Sequence, residues 1–181
     1  MSGPRPWKKT KEGTPRDYRI FRVREDEVKD PRNGSLHVRV YIDSVDWVNV
    51  IPVTDASQVV LIRQFRFGTW SNTLEIPGGM LEPGEDAAAA AARELEEETG
   101  YRAREMKPLG WVHPNPAVQG NRCHSFLALG CEKVHGGHPD AGEDIQVELR
   151  DRADVPELIR AGQITHSLVV CAFHLDALTR R

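Results

Sequence analysis

Three glutamates, Glu94, Glu97 and Glu98, stand at i, i+3 and i+4 in the segment ARELEEETG. At ~100° per residue, this spacing puts their carboxylates on one face of a helix. Neighbouring like charges destabilise a helix, so helix stability does not explain the cluster. A divalent cation would remove the repulsion, and Mg²⁺ binds oxygen ligands while keeping positions for water and substrate phosphate. The spacing therefore predicts a metal site for phosphate chemistry.

The surrounding residues predict the helix that carries these carboxylates. Six consecutive alanines, Ala87 to Ala92, precede them, and alanine is the best helix former. Pro83-Gly84 marks a turn, Glu85 and Asp86 are expected to put negative charge in the first helical turn, and Gly100 suits a left-handed residue after its end. The apolar face beside the acidic one consists of small and aliphatic residues: Ala88, Ala91 and Leu95.

Two further charged residues are predicted to support the acidic face of the helix. Arg93 lies four residues before Glu97 and is spaced to hold its carboxylate in place. Glu85 lies nearly opposite Glu94 around the helix, so we expect it to brace the Gly78-Gly79 loop. The alternative for the whole cluster is a solvated acidic helix face, which is the usual meaning of a run of glutamates.

The segment GMLEPGEDAAAAAARELEEETGY, residues 79–101, resembles the signature box of the Nudix hydrolases at every fixed position. The resemblance extends roughly from Trp47 to the C-terminus. It implies an α/β/α sandwich with a mixed sheet and hydrolysis of a nucleoside diphosphate linked to another group. It also implies a Mg²⁺ site, in which Mn²⁺ can substitute, formed by the Gly78 carbonyl and by Glu94, Glu97 and Glu98, with Arg93 in support.

The segments VLIRQFRFGTW and LEIPGGMLEPGE are similar to the ADP-ribose and nucleoside-diphosphate-sugar pyrophosphatases. This resemblance implies that Arg66 contacts the substrate and that Glu75 contacts the far sugar. Strand alternation puts Arg66 on the same face as Ile62 and Gln64. The alternatives are a surface salt bridge for Arg66 and a strand-edge charge for Glu75.

The loop after the box is also consistent with that subgroup, because Pro116 stands sixteen residues after Gly100. The loop contains polar side chains that either bind a base or sugar or satisfy the loop backbone. They are Asn115, Gln119, Asn121 and His124. We assign none of them a catalytic role.

A second carboxylate is expected to act as general base. The segment DAGEDIQVE supplies Asp140, Glu143, Asp144 and Glu148. In related pyrophosphatases a glutamate of the corresponding loop has this role. We select Glu143 because it precedes the next strand and could be brought over the phosphates, whereas Glu148 should lie within the strand. A polar surface loop is the alternative.

Composition agrees with a globular enzyme. The 181 residues are 39% hydrophobic and 28% charged, which suits one core. The net charge of −3 makes nucleic acid an unexpected partner, and no apolar run reaches the ~20 residues of a membrane span. Three cysteines, an odd number, and the lack of a signal segment indicate a reducing cytoplasm.

The chain pattern divides into three parts. Residues 1–17 read as a mobile arm, 18–46 as an N-terminal β-hairpin that mediates dimerisation, and 47–181 as the Nudix domain. The hairpin strands are expected at 18–25 and 36–42 around PRNG. Further strands are expected at 47–53, 58–65, 107–112, 122–131 and 145–149, and helices at 155–161 and 167–178. The fold class is therefore α/β, with a small antiparallel sheet before the sandwich.

The hairpin is too small to be stable alone and carries alternating apolar residues, so it needs a surface to cover. In the resembling pyrophosphatases such a sheet packs across a two-fold axis, which implies a homodimer. Trp47 then becomes a candidate to stack on the nucleotide base, although a buried core tryptophan is the alternative. The favoured function is hydrolysis of a nucleoside diphosphate sugar such as ADP-ribose. Hydrolysis of nucleoside triphosphates or capped RNA ends, or non-catalytic sensing of a nucleotide sugar, are the other possibilities.

Overall fold

The computed structural model describes residues 3–138, 142 and 144–179, and the chain divides into two compact units. The first unit holds Met1–Val45 together with His113–Asn121. The second unit holds Asp46–Val112 and Arg122–Arg181.

The first unit contains a four-stranded antiparallel sheet centred on one strand. Its strands are β1 (Lys8–Lys11), β2 (Arg16–Asp17), β3 (Arg22–Lys29) and β4 (Leu36–Asp43). β3 pairs with the other three, and the expected hairpin is its pairing with β4. β3 begins later than expected because the chain turns at Arg19, whose φ is 73°.

The range 1–17, which we expected to be a mobile arm, contributes β1 and β2 to this sheet. Polar contacts hold β1 in place: Lys9 Nζ lies 3.1 Å from Asp26 Oδ2 of β3. The Asp26 side chain is buried. A sequence pattern does not reveal an ion pair between residues that are far apart in the chain, because such a pair produces no periodicity. The mobility of this range stays a prediction.

The second unit is built around a seven-stranded mixed sheet. The strands of this unit are β5 (Trp47–Val53), β6 (Gln58–Arg66), β7 (Ser71–Glu75), β8 (Gly78–Met80), β9 (Tyr101–Arg102), β10 (Glu105–Val112), β11 (Cys123–Leu129), β12 (Glu132–Lys133) and β13 (Gln146–Asp151). In the seven-stranded sheet the order is β10-β11-β5-β6-β13, and in addition β7 pairs with β6 and β8 pairs with β5. β11 and β5 are parallel, whereas the other pairs are antiparallel, and β9 and β12 form a separate two-stranded sheet.

Helices cover this sheet through two separate apolar clusters. Helix α1 (Ala87–Thr99) packs Leu95 with Val50 of β5 and Val60 of β6. Helices α2 (Val155–Arg160) and α3 (Ser167–Thr179) pack against a second cluster that includes Ile51. Since residues next to each other on a strand point to opposite sheet faces, the two clusters lie on opposite faces. The expected α/β/α sandwich is confirmed.

The ends of α1 have the caps that its sequence predicts. The Asp86 carboxylate accepts from the backbone N–H groups of Ala88 and Ala89, at 3.0 and 3.2 Å. Gly100 ends the helix with φ 71° and ψ 15°, in the left-handed region, and its Cα lies against the His135 carbonyl. Glu85 and Asp86 both precede the helix rather than belonging to its first turn.

The remaining expected elements agree to within a few residues, with additions. The expected strand over residues 122–131 is β11, which ends at Leu129, and β12 follows beyond the expected range. β7 and β8 were not expected: Pro77 lies between them, and β8 consists of two glycines and a methionine. Within the described residues, no helix is both long and apolar enough to cross a bilayer.

Candidate active site

The acidic face of α1 lies against the glycine pair of β8. Gly78 and Gly79 pair with Asn49 and Val48 of β5. A Cβ added to Gly78 would overlap the Val48 carbonyl, and one added to Gly79 would overlap the Glu94 carboxylate. Because glycine carries no side chain, the β8 backbone lies directly against the helix carboxylate.

Glu98 is fixed at the same place. Its side chain is buried, with the residue only 4% exposed, and Oε2 accepts from the Gly78 N–H at 3.0 Å. A buried carboxylate costs free energy unless it is hydrogen-bonded or paired. The β8 backbone therefore orients Glu98 as well as lying against Glu94.

Arg93 joins the other carboxylates into one network. Its Nη1 donates to Glu97 Oε2 and to Glu94 Oε1, each at 2.9 Å. The contact with Glu97 is the one that the i, i+4 spacing predicts. Its Nη2 also donates to the Met80 carbonyl of β8 at 3.2 Å. Arg93 thus connects the acidic face with the strand beside it.

Glu85 contacts Arg93, which sequence analysis did not foresee. Its two oxygens accept from Arg93 Nε at 3.0 Å and Nη2 at 3.1 Å, and Oε2 also accepts from the Glu82 N–H at 2.9 Å. The hydrogen bond from Arg93 is the main cause that lowers the pKa of Glu85. In turn, hydrogen bonds to Glu85 and then to Glu97 raise the pKa of Arg93, which keeps it cationic. Glu85 therefore braces the loop between β8 and α1 through Arg93.

The donors present suit a hard divalent cation. Glu94 and Glu98 both meet the Gly78-Gly79 segment, and Glu97 is tied to Glu94 through Arg93. All are oxygen donors of the kind that Mg²⁺ prefers, and Glu97 is the most exposed of them. Among the residues that the structure describes, no three acidic, histidine or cysteine side chains form a ready metal-binding cluster. The side chains that would hold a metal instead contact Arg93 or Gly78.

Arg66 and Glu75, the expected substrate contacts, pair with each other. Arg66 Nε and Nη2 donate to the two Glu75 oxygens at 2.9 and 2.8 Å. Glu75 is only 2% exposed, so it is not a strand-edge charge. Burial would raise the pKa of Glu75, but hydrogen bonds from Arg66 and Thr73 outweigh it and the net shift is downward.

The other expected site residues are placed as follows. Trp47 begins β5, is partly buried, and donates its backbone N–H to the Arg122 carbonyl at 2.8 Å. Glu143 and Asp140 lie outside the described residues. Glu148 lies within β13, as expected, and Arg63 Nε donates to it at 2.6 Å. That hydrogen bond is the main cause that lowers the pKa of Glu148.

Three of the polar residues expected in the loop contact other protein groups. In the first unit, Asn121 Nδ2 donates to the Val45 carbonyl at 3.1 Å and Gln119 Nε2 donates to Asn121 Oδ1 at 3.0 Å. In the second unit, His124 Nε2 lies 3.1 Å from Asp46 Oδ2. Of these three contacts, only that of Asn121 is with a backbone group, which is the kind of contact that the structural alternative describes.

Two residues beside Glu75 escaped sequence analysis. Thr73 Oγ1 donates to Glu75 Oε1 at 2.6 Å, and His166 Nδ1 lies 3.6 Å from Glu75 Oε2. Alternation along β7 could have suggested that Thr73 and Glu75 share a face. No local pattern connects either residue to His166, because tertiary folding alone brings it there.

Comparison with known proteins identifies the family of this chain. A family model for the NUDIX domain matches residues 44–167. The chain is 35% identical to the methanol dehydrogenase activator of Bacillus methanolicus over 115 residues, which are 64% of this chain and 62% of that protein. It is 36% identical to the ADP-ribose pyrophosphatase of Bacillus subtilis (strain 168) over 96 residues, 53% of this chain and 52% of that protein.

A solved structure, described as the crystal structure of an ADP compounds hydrolase, has the same fold. The TM-score is 0.87 at 22% identity, with 98% of this chain and 95% of that chain covered. The family match spans most of the chain and contains the acidic face of α1, Arg93 and the glycine pair of β8. On this evidence the chain belongs to the Nudix hydrolase family.

Proposed function

We propose that this protein hydrolyses the pyrophosphate linkage of a nucleoside diphosphate sugar such as ADP-ribose, with a divalent cation as cofactor. The observation that carries the proposal is the meeting of Glu94 and Glu98 at the glycine pair of β8, with Glu97 tied to them by Arg93. Carboxylates on one helix face beside a glycine backbone suit the neutralisation of a diphosphate through bound metal.

We propose a role in hydrolysis for each residue of the site. Glu94, Glu97, Glu98 and the Gly78 carbonyl would hold Mg²⁺, for which Mn²⁺ can substitute. The bound cation would neutralise the diphosphate and make water a better nucleophile near neutral pH. Arg93 orients Glu94 and Glu97, which would otherwise repel each other. Glu143 would take the proton from the attacking water.

The substrate class rests on residues outside the acidic face. Arg66 is 43% exposed at its side chain and is fixed by two hydrogen bonds, which suits binding of a substrate phosphate. Trp47 would stack on the base. The B. subtilis relative is named as an ADP-ribose pyrophosphatase, which supports the same class. The products would be a nucleoside monophosphate and a sugar phosphate.

We also propose a homodimer that forms through the N-terminal sheet. One face of β4 exposes three aliphatic side chains at alternate positions: Leu36, Val38 and Val40, at 57%, 59% and 49% exposure. An apolar row of this kind is typical of a surface that another molecule covers. The buried free thiols of Cys123 and Cys131 support the proposal of a reducing cytoplasm.

The substrate class is tested by a hydrolysis screen with Mg²⁺. ADP-ribose, GDP-mannose and UDP-glucose are compared with nucleoside triphosphates and a capped RNA under the same conditions. We expect at least one nucleotide sugar to be the best substrate by kcat/KM. Strong triphosphate or cap turnover with inert nucleotide sugars would overturn the assignment, and tight binding without turnover would favour a sensor.

A further inference from the structure

The Glu75 carboxylate is enclosed by the protein. Oε1 accepts from Arg66 Nε at 2.9 Å and from Thr73 Oγ1 at 2.6 Å. Oε2 accepts from Arg66 Nη2 at 2.8 Å, and His166 Nδ1 lies 3.6 Å from it. With the residue 2% exposed, a sugar has no open route to this carboxylate. Any influence of Glu75 on a substrate must therefore pass through a neighbouring residue.

Arg66 is the neighbour that can transmit this influence. Its side chain is 43% exposed although its partner is buried, so the guanidinium spans from the interior to the surface. The bidentate pairing fixes the plane of the guanidinium, because two parallel N–H···O bonds define an orientation as well as a distance. A freely rotating arginine would lose side-chain entropy when it bound a phosphate.

Thr73 and His166 also lie next to the Glu75 carboxylate. Thr73 is paired with Gln64 across β7 and β6, so the sheet sets the position of its hydroxyl. His166 immediately precedes α3, and its Nδ1 is buried with no hydrogen-bond partner within the described part of the chain. At 3.6 Å from Glu75 Oε2 the nitrogen is beyond hydrogen-bond distance, so the imidazole packs beside the carboxylate and limits its movement.

We propose that Glu75 is a positioning residue that fixes the Arg66 guanidinium for a substrate phosphate, and that Thr73 and His166 fix Glu75 in turn. This inference rests on the proposed function, since it assigns Arg66 to the phosphate of a nucleotide sugar. It gives Glu75 a role that differs from direct contact with the far sugar.

The first test separates binding from chemistry. Glu75→Gln keeps the size of the side chain but removes the charge that orients Arg66. We expect KM for ADP-ribose to rise about 10- to 100-fold, because the loss of one hydrogen bond to a charged group weakens binding by about that factor. The value of kcat should fall less than about 3-fold. Thr73→Val should raise KM by a smaller factor, and Thr73→Ser should restore it because the hydroxyl returns.

Asp176→Asn is the matched control for a purely structural effect. Asp176 is also a buried carboxylate, 0% exposed, and accepts from Arg152 Nη2 at 2.6 and 2.7 Å. We expect its loss to lower the melting temperature while KM stays unchanged. If Asp176→Asn and Glu75→Gln raised KM alike, or if Glu75→Gln left KM unchanged in an active enzyme, the proposal would be overturned.

A second readout does not depend on catalysis. In ¹⁵N NMR spectra, the Arg66 Nε–Hε signal, assigned by its loss in Arg66→Lys, should exchange slowly with water in the wild type. It should exchange rapidly in Glu75→Gln and at an intermediate rate in His166→Ala. If the wild type hydrolysed no nucleotide sugar, the proposed function would fail. An Arg66 signal unaffected by Glu75→Gln would overturn the positioning role whatever the substrate.

Discussion

The Cα of Gly79 lies against the Glu94 carboxylate so closely that an added Cβ would overlap Oε1. The contact is with the far end of a flexible side chain, so Glu94 can move aside at little cost in stability. Moving Glu94, however, moves a proposed metal ligand. A glycine is therefore favoured at position 79 because Glu94 of α1 lies against it, and not because the backbone there has a positive φ.

Gly79→Ala should therefore impair activity more than stability. We expect kcat to fall about 10²-fold, which is the effect of a displacement near 1 Å in a catalytic group. The melting temperature should fall by less than about 4 °C. Gly136→Ala is the control, because a Cβ there has no neighbour within 4 Å. Equal activity in the two variants would remove the proposed role of the Gly79–Glu94 contact.

Glu98→Gln should lower kcat at least ~10²-fold while the fold survives, since it removes one charge from the metal site. Glu85→Gln should have a smaller effect because Glu85 acts through Arg93. Glu96→Gln is the matched control on the same helix, since its carboxylate pairs with Arg102 and His135 instead. Steady-state kinetics at saturating Mg²⁺ measure all three, and wild-type turnover in Glu98→Gln would refute the assignment of Glu98 as a metal ligand.

The local part of this site was predictable from sequence, whereas the part that depends on tertiary contacts was not. Helix α1 was predicted because its alanine run, the Asp86 cap and Gly100 act within one segment. The pairing of Arg93 with Glu97 follows from helical spacing alone. The structure of these residues is determined by neighbours that lie within a few positions in the sequence.

The burial of Glu75 had no such local cause. It depends on the pairing of β7 with β6, which sets Arg66 and Thr73 around the carboxylate, and on the approach of His166 from the start of α3. The strand β1 escaped notice for a similar reason. The sequence of β1 is KKTK, so ion pairs such as that between Lys9 and Asp26 replace the apolar alternation that marks a strand.

The N-terminal sheet should lose stability in strong acid. Hydrogen bonds from the Arg32 side chain, then from its backbone N–H, lower the pKa of Asp30 from 3.8 to about 2. A depressed carboxyl pKa contributes stability above pH 3.8, and that contribution is lost as the pH falls towards 2. The Asp30 carboxyl carbon should titrate near pH 2 by ¹³C NMR. The difference in melting temperature between wild type and Asp30→Asn should narrow below pH 4; a constant difference would contradict the pairing.

The exposed row on β4 should mediate self-association. Light scattering on the purified protein is expected to give a mass near twice 20.3 kDa. Val38→Lys should produce monomers, because it puts a charge in the middle of the row. Val45→Lys is the control, since this valine is also exposed, at 46%, but lies outside β4. A monodisperse wild-type monomer with full activity would exclude the dimer and leave the site on α1 unaffected.

Metal-dependent hydrolysis of a pyrophosphate linkage can be observed by ³¹P NMR of ADP-ribose mixed with the wild-type protein. With EDTA, the two diphosphate resonances should persist. After Mg²⁺ is added in excess, they should be replaced by the two monoester resonances of AMP and ribose 5-phosphate. Diphosphate signals that persist with Mg²⁺ and with Mn²⁺, for ADP-ribose and for the other nucleotide sugars alike, would show that the protein is not a metal-dependent nucleotide-sugar pyrophosphatase.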